Sequence, residues 1–141
     1  MNSNNSKYLI VVIFMVIVIW ACKDGSQTQA LVEKESVQME LSSLFGKTIE
    51  YRYGDDVYHV ILDDESNMHW RAVAGGEEGV HEKENYRSEF IDDMKLFITW
   101  GEANGIGVSQ ILDFENKVVH NHLLRGRDIS IGKGEISILS H

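Results

Sequence analysis

Two tyrosines, a tryptophan and a glutamate are spaced in this sequence so that they could share one binding site. Tyr51 and Tyr53 are two residues apart, and so are Trp100 and Glu102. Residues two apart in a β-strand point to the same face of the sheet. A buried carboxylate needs hydrogen-bond partners or takes up a proton, and phenol hydroxyls can supply such bonds. If both faces point inward, these side chains predict a pocket for a small apolar or aromatic ligand.

The same side chains also fit a plainer interpretation in which no ligand is involved. Aromatic residues are ordinary core residues, and Glu102 comes just before Asn104-Gly105, a turn signal that normally lies in solvent. Trp70 joins the predicted site because the segment His69–Arg71 occupies the adjoining strand, although its parity leaves open which side chain faces inward. From the residues alone, a ligand pocket and a filled core both stay open.

Other residue patterns that carry chemistry are weaker. His120 and His122 would share a strand face and could bind a metal with a third ligand such as His59, His69 or Asp113. A solvated or core histidine pair is far commoner, so we predict no metal site. Gly105 and Gly107 lack the third glycine of a dinucleotide fingerprint, and the sequence has no Ser, His and Asp pattern with elbow glycines. We therefore assign no cofactor and no catalytic residue.

The composition describes one ordinary domain with an appendage. The chain has 141 residues, of which 43% are hydrophobic and 25% are charged, and its formal net charge is −9. Because nucleic-acid affinity comes mainly from cations that neutralise phosphates, nucleic-acid binding is disfavoured. The single cysteine, Cys22, cannot form an intramolecular disulfide, and 12 glycines without any proline suit tight hairpin turns. The fold must therefore depend on its hydrophobic core.

After Gly46 the apolar pattern has a period of two, which predicts short strands joined by turns. Short links require antiparallel neighbours, because a parallel crossover needs about a dozen residues. Closing the sheet removes its open edges, so we predict a small all-β, up-and-down antiparallel barrel of about eight strands. A two-sheet sandwich is the alternative. The predicted strands lie at about residues 47–53, 57–63, 67–73, 79–87, 89–100, 106–113, 117–124 and 128–139.

One short amphipathic helix is predicted ahead of the barrel. The spacing of Val37, Leu41 and Leu44 is that of one helix face. Gly46 then ends the pattern, as glycine commonly does after a helix. We place this helix at about residues 35–45 and expect it to pack across an opening of the barrel.

The beginning of the chain resembles a bacterial lipoprotein signal peptide. The apolar run Tyr8–Ala21 is shorter than the roughly 20 residues that span a bilayer, and it ends at Cys22. The resemblance implies cleavage before Cys22, acylation of this residue, and anchoring to membrane lipid at the periplasmic face of the outer membrane. We therefore predict a signal peptide over residues 1–21, a lipidated cysteine and flexible tether over 22–33, and a barrel domain over 34–141. The alternatives are an uncleaved anchor and a free buried cysteine.

Three segments of the predicted barrel resemble the MoaF-like and phenolic acid decarboxylase group. They are Gly46–Tyr53 (GKTIEYRY), Trp100–Gly105 (WGEANG) and Leu112–His120 (LDFENKVVH). The resemblance covers about residues 44–139 and implies a calycin-type barrel of the lipocalin kind. The chain lacks the longer C-terminal extension of the decarboxylases, so the MoaF-like members are the closer match.

In the decarboxylases that this chain resembles, paired tyrosines hold the substrate carboxylate, and an arginine and a glutamate serve the phenol end. The resemblance assigns these roles to Tyr51, Tyr53 and Glu102. The arginine would fall near Gly79–His81, where this chain has none, and Ala103 stands where proline is usual. Loss of a cation from such a site costs on the order of several kcal/mol of transition-state stabilisation, which argues against lyase activity.

Three functions follow from the sequence. The first is a membrane-anchored lipoprotein whose barrel binds a small apolar or aromatic ligand at Tyr51, Tyr53, Trp70, Trp100 and Glu102. The second is a lyase of the phenolic acid decarboxylase type that acts on an aromatic acid. The third is a structural or interaction lipoprotein with a filled barrel. Cavity volume separates the third function from the other two.

Overall fold

The computed structural model describes residues 38–140, which form one closed barrel of antiparallel strands. Each strand pairs with the next in the chain, and the last pairs with the first. This confirms the all-β, up-and-down barrel, and the sandwich alternative is wrong. The strands are β1 (Thr48–Tyr53), β2 (Asp56–Leu62), β3 (Asn67–Ala74), β4 (His81–Asp92), β5 (Lys95–Gly101), β6 (Ile106–Asp113), β7 (Val118–Arg125) and β8 (Asp128–Ile138).

The predicted signal peptide, Cys22 and the predicted tether all lie outside the described residues. Within residues 38–140, no helix is long and apolar enough to cross a membrane.

The predicted boundary between the fourth and fifth strands is wrong. The sequence pattern ends one strand at residue 87 and starts the next at residue 89, whereas β4 continues to Asp92 and β5 begins at Lys95. The chain reverses at Asp93-Met94, where the Asp92 carboxylate accepts a hydrogen bond of 2.9 Å from the Met94 N–H. This Asx turn at Asp92-Asp93 ends β4, whereas the predicted strand over residues 89–100 continues through it.

The predicted helix is also corrected over its described part. Residues 38–40 have no regular structure, and a single 3₁₀ turn follows at Leu41–Leu44. Glu40 makes no side-chain cap to this turn, and Phe45 is already extended, so the segment lacks the capping that would stabilise a longer helix. Residues 35–37 of the prediction lie outside the described part.

The segment from Met39 to Gly46 crosses one end of the barrel. The Met39 N–H donates to the Asp93 carbonyl, and the Gly46 N–H donates to the Leu62 carbonyl, both at 2.9 Å. Leu44 is 1% exposed within the apolar core at this closed end. The other fully buried core side chains include Ile49, Leu62, Met68, Tyr86, Leu96, Ile98, Leu112 and Val119.

Candidate functional site

A cavity of about 490 Å³ lies at the end of the barrel where the odd-numbered strands finish. Its lining comes from seven strands, β1 to β7, and from the loops that join them at this end. This volume is within the usual range for a small-molecule pocket. The structure brings together at this cavity all five residues of the sequence-predicted site, namely Tyr51, Tyr53, Trp70, Trp100 and Glu102. That these residues bind a ligand stays a prediction.

The deepest tyrosine of the cavity is Tyr51, which is 2% exposed. Its hydroxyl has no hydrogen-bond partner among the described residues. Burial, followed by the neighbouring Tyr53, raises the pKa of Tyr51 well above its usual range, so this phenol stays protonated. Tyr51 can therefore donate a hydrogen bond to a bound molecule.

Three aromatic rings form one wall of the cavity. The rings of Tyr53 and Tyr58 meet edge to face at 6.2 Å between centroids, and those of Tyr58 and Trp70 do so at 6.1 Å. Such pairs contribute about 0.5–1.5 kcal/mol each beyond area burial, so they hold one another in place. Trp70 is 8% exposed and lies opposite Val60 and Glu82 in the ladders with β2 and β4. The sequence left open which side chain of this segment faces inward, and the structure shows that Trp70 does.

A glycine in β8 gives the Tyr53 ring its space. A Cβ added to Gly134 would lie 2.7 Å from the Tyr53 ring and 2.5 Å from the Arg52 carbonyl oxygen. Both distances are far below van der Waals contact, so β8 can approach this part of β1 only with glycine at this position.

Glu102 fits both of the interpretations that the sequence allowed. It follows the last residue of β5 and begins the turn to β6, yet it also lines the cavity. Its carboxylate accepts a hydrogen bond of 3.0 Å from the Asn104 side chain, so its partner is an amide rather than a tyrosine hydroxyl. Burial raises the pKa of Glu102, Asn104 opposes this change, and the charge of Glu82 raises it further.

A second glutamate, Glu82, lines the cavity and was not predicted from the sequence. It lies directly opposite Trp70 in the β3–β4 ladder. Its Oε2 atom is buried without a hydrogen-bond partner among the described residues. Glu84, two residues further along β4, lies opposite the buried Met68 and so shares the inward face. Burial and the adjacent Glu82 raise the pKa of Glu84 to about 7.

One cation also lines the cavity. Arg125, the last residue of β7, lowers the pKa of Glu102 by its charge. The resemblance to the decarboxylases places an arginine near Gly79–His81, where this chain has none, and we therefore expected a site without a cation. The structure corrects this conclusion, because Arg125 reaches the same cavity from a different strand. The parity of Val119, Asn121 and Leu123, which places Arg125 on the inward face of β7, could have identified it.

The polar side chains of Gln110 and Asn121 line the cavity between the aromatic wall and the core. Gln110 is 5% exposed, and its amide nitrogen donates to the Tyr53 hydroxyl at 3.5 Å and to Asn121 at 3.4 Å. Its carbonyl oxygen has no partner among the described residues. The interior is therefore apolar at the closed end and polar where the cavity begins.

The histidines considered for a metal site are spread over the barrel. His59 pairs with Glu50 at 3.3 Å, and His69 pairs with Asp63 at 3.0 Å. His120 and His122 line a shallow groove on the outer surface of β5 to β8. In the part of the chain that the structure describes, no three His, Cys, Asp or Glu side chains are grouped as metal ligands.

The comparison with protein families decides what kind of barrel this is. Residues 45–137 match the MoaF-like family. The chain belongs to the MoaF-like family. The match covers the strands that line the cavity, β1 to β7, so the candidate site lies within the family domain.

Among solved structures, this MoaF-like chain is similar to a protein described as a putative beta-lactamase from Burkholderia vietnamiensis. The two share 21% sequence identity with a TM-score of 0.63, over 68% of this chain and 95% of that one. The similarity shows that both have the same fold. No curated protein matches this MoaF-like sequence.

Proposed function

We propose that this MoaF-like protein is a lipid-anchored binding protein that holds a small apolar or aromatic ligand in the open end of its barrel. The observation that carries this proposal is the cavity of about 490 Å³, lined by the aromatic side chains Tyr51, Tyr53, Tyr58, Trp70 and Trp100. A filled barrel would leave no such volume, so the cavity favours a binding function over a purely structural one.

Unpaired polar atoms in the lining support the same proposal. Buried polar groups in proteins nearly always have hydrogen-bond partners. The Tyr51 hydroxyl, the Trp70 indole N–H and the Trp100 indole N–H all lack one among the described residues. A ligand with hydrogen-bond acceptors would satisfy these donors while its apolar part packs against the rings.

Two neighbouring leucines provide a matched test of the cavity. Leu123 lines it, whereas Leu124 lies on the outer face of the same strand and is 41% exposed. Leu123→Trp should fill part of the cavity and abolish ligand retention, measured by native mass spectrometry of the full-length protein in detergent. Leu124→Trp should retain ligand like the parent protein. Equal retention in both variants would contradict binding in this cavity.

A lyase acting on an aromatic acid is the second candidate. Tyr51, Tyr53, Glu102 and Arg125 line one cavity, which restores a cation to the set that the decarboxylase resemblance names. Incubation of the protein with a panel of hydroxycinnamates tests this function. Release of CO₂ that is lost in Glu102→Gln would support it, and unchanged substrates would contradict it.

A further inference from the structure

The charges that line the cavity are mostly negative. Four carboxylates contribute to the lining, and Arg125 is the one cation among the lining residues. A concave site that is lined by one sign of charge concentrates ligands of the opposite sign. The four carboxylates belong to Asp56, Glu77, Glu82 and Glu102.

None of these carboxylates forms an ion pair with a protein cation within residues 38–140, and Arg125 acts on Glu102 only through its charge, which lowers the pKa of this carboxylate. Their hydrogen bonds come from neutral donors: the Gly76 N–H to Asp56 at 2.8 Å, and the Tyr58 hydroxyl to Glu77 at 2.9 Å. The Asn104 side-chain amide donates a hydrogen bond of 3.0 Å to Glu102. The ion pairs of this part of the chain involve other residues. The negative charge of the cavity is therefore available to a ligand.

Buried polar atoms give a second, independent indication that a ligand enters here. Tyr51 and Gln110 are 2% and 5% exposed, and each has an oxygen atom, which can accept a hydrogen bond from an ammonium group, without a partner among the described residues. Both line the same cavity. The unpaired Oε2 atom of Glu82 is buried in the same lining.

The aromatic wall suits an organic cation as well as an apolar body. The faces of tyrosine and tryptophan attract ammonium groups through the ring quadrupole. Aromatic rings and carboxylates lie side by side at Tyr58. Its ring packs against Trp70, and its hydroxyl donates a hydrogen bond to the Glu77 carboxylate. A single ligand can thus contact rings and carboxylates together.

The acidities of the interior glutamates agree with this arrangement. Burial raises the pKa of Glu102, and the charges of Glu82 and Glu77 add to the effect. Burial and Glu82 also raise the pKa of Glu84 to about 7. These carboxylates repel one another across a poorly solvated space, and a bound cation would relieve the repulsion.

We propose that the ligand of this cavity is an organic cation, an ammonium group on an aromatic or apolar body. Its charged end lies between Glu82 and Glu102, and its apolar body packs against Tyr58 and Trp70. This proposal rests on the proposed binding function and names its ligand class. It differs from the decarboxylase resemblance, which implies a carboxylate substrate.

Three probes of similar size and different charge test the proposal: phenylpropylamine, phenylpropanol and phenylpropanoate. Calorimetric titration of the full-length protein in detergent at neutral pH and low salt measures each affinity. We expect the amine to bind at least about tenfold more tightly than the alcohol, as one favourable partly screened charge interaction would give. The carboxylate should bind more weakly than the alcohol, and added salt should reduce the advantage of the amine.

Single substitutions locate the effect within the cavity. Glu82→Gln should weaken amine binding about tenfold and leave alcohol binding unchanged, since only the charge is removed. Glu89→Gln, an exposed position on the same strand that does not line the cavity, is the matched control and should change neither affinity. Arg125→Gln should strengthen amine binding, and it tests the charge independently if the Glu82 variant does not fold.

The outcomes separate the two proposals. Equal affinities for all three probes would overturn the cationic ligand and leave the binding function intact. Tightest binding of the carboxylate would overturn it in favour of an acid ligand. Absence of binding by every probe would contradict the proposed binding function itself.

Discussion

Glu84 is an interior carboxyl group of the described barrel whose protonation links stability to pH. It faces the interior opposite Met68, beside Glu82. Burial, together with the Glu82 carboxylate, raises its pKa from the ordinary 4.5 to about 7. Between these two values, an unfolded chain has released this proton while the folded protein still holds it. Proton binding therefore favours the folded state at the acidic end of this window, and the advantage is lost as the pH rises.

Glu84→Gln should reduce this pH dependence. In the parent protein we expect the melting temperature to fall between pH 4.5 and pH 7, because the folded state binds the proton more tightly. A neutral amide removes the proton exchange at this position, so the variant should show a shallower slope. Thermal melts monitored by circular dichroism measure it, with Glu89→Gln as a control that keeps the parent slope. A parent-like slope in Glu84→Gln would show that another group controls the pH dependence.

The residues of the site differ in how well the sequence predicts them. Tyr51 and Tyr53 follow from strand alternation, because the adjacent core residue Ile49 shares their parity. Glu82 does not follow so easily, because the first half of β4, HEKEN, is polar at both parities. The inward face of that strand is marked further along, by Tyr86, which is fully buried, and by Phe90, which packs against the core. Charged residues in a half-polar interior carry no hydrophobic signal, and this is why Glu82 was missed although Glu102 was predicted.

The contact between β1 and β8 closes the barrel. Four residue pairs join these strands, from Ile49 opposite Ile138 to Arg52 opposite Glu135. Gly134 lies at the end of this pairing, against the backbone of Arg52 and the ring of Tyr53. Closure of the barrel therefore depends on the absence of a side chain at Gly134. The same glycine leaves space for the ring of Tyr53, which lines the cavity.

Gly134→Ala should destabilise the barrel, because the new methyl group would lie 2.5 Å from the Arg52 carbonyl oxygen. Overpacking of this kind costs about 1–3 kcal/mol. Gly132→Ala is the matched control two residues away, since its nearest neighbour would be 4.0 Å distant. Urea denaturation measures both variants, and we expect a lower midpoint only for Gly134→Ala. Equal urea midpoints for the two variants would mean that β1 and β8 can move apart enough to accept a side chain at Gly134.

The sequence predicts elements well where turn residues separate two alternating segments, and poorly where the segment beside the turn does not alternate. The turn at Asn104-Gly105 separates β5 from β6 as expected. The pair Asp92-Asp93 is a turn signal in the sequence, but residues 88–91 do not alternate and the predicted strand over 89–100 continues through this turn, so the end of β4 was misplaced. The 3₁₀ turn at Leu41–Leu44 has helical spacing, but short amphipathic segments without caps do not form stable helices alone.

The described barrel is divided into a filled half and a hollow half. Leu44, Leu62, Leu96 and Leu112 are at most 1% exposed and pack the closed end. Eight strands enclose a space that side chains can just fill, and at the open end polar groups and aromatic rings leave about 490 Å³ instead. Strand count and periodicity are the same for a filled and a hollow barrel, so the sequence predicts the barrel but not the cavity.

The sequence predicts that Cys22 anchors this barrel to membrane lipid. The only cysteine, Cys22, ends an apolar run, Tyr8–Ala21, that is too short to span a bilayer easily, in the pattern of a lipoprotein cleavage site. More than one acyl chain on one residue anchors a protein almost permanently, since each buried methylene contributes about 0.8 kcal/mol.

Cys22→Ala should therefore abolish incorporation of labelled palmitate and leave a precursor that is larger than the mature protein, both measured on cells that express the full-length chain. Ser26→Ala, four residues further on in the predicted tether, is the control and should be labelled and processed like the parent. An uncleaved apolar anchor would give one molecular mass for the parent and Cys22→Ala, without label in either. Equal labelling of the parent and Cys22→Ala would place the acyl group elsewhere and contradict the assignment.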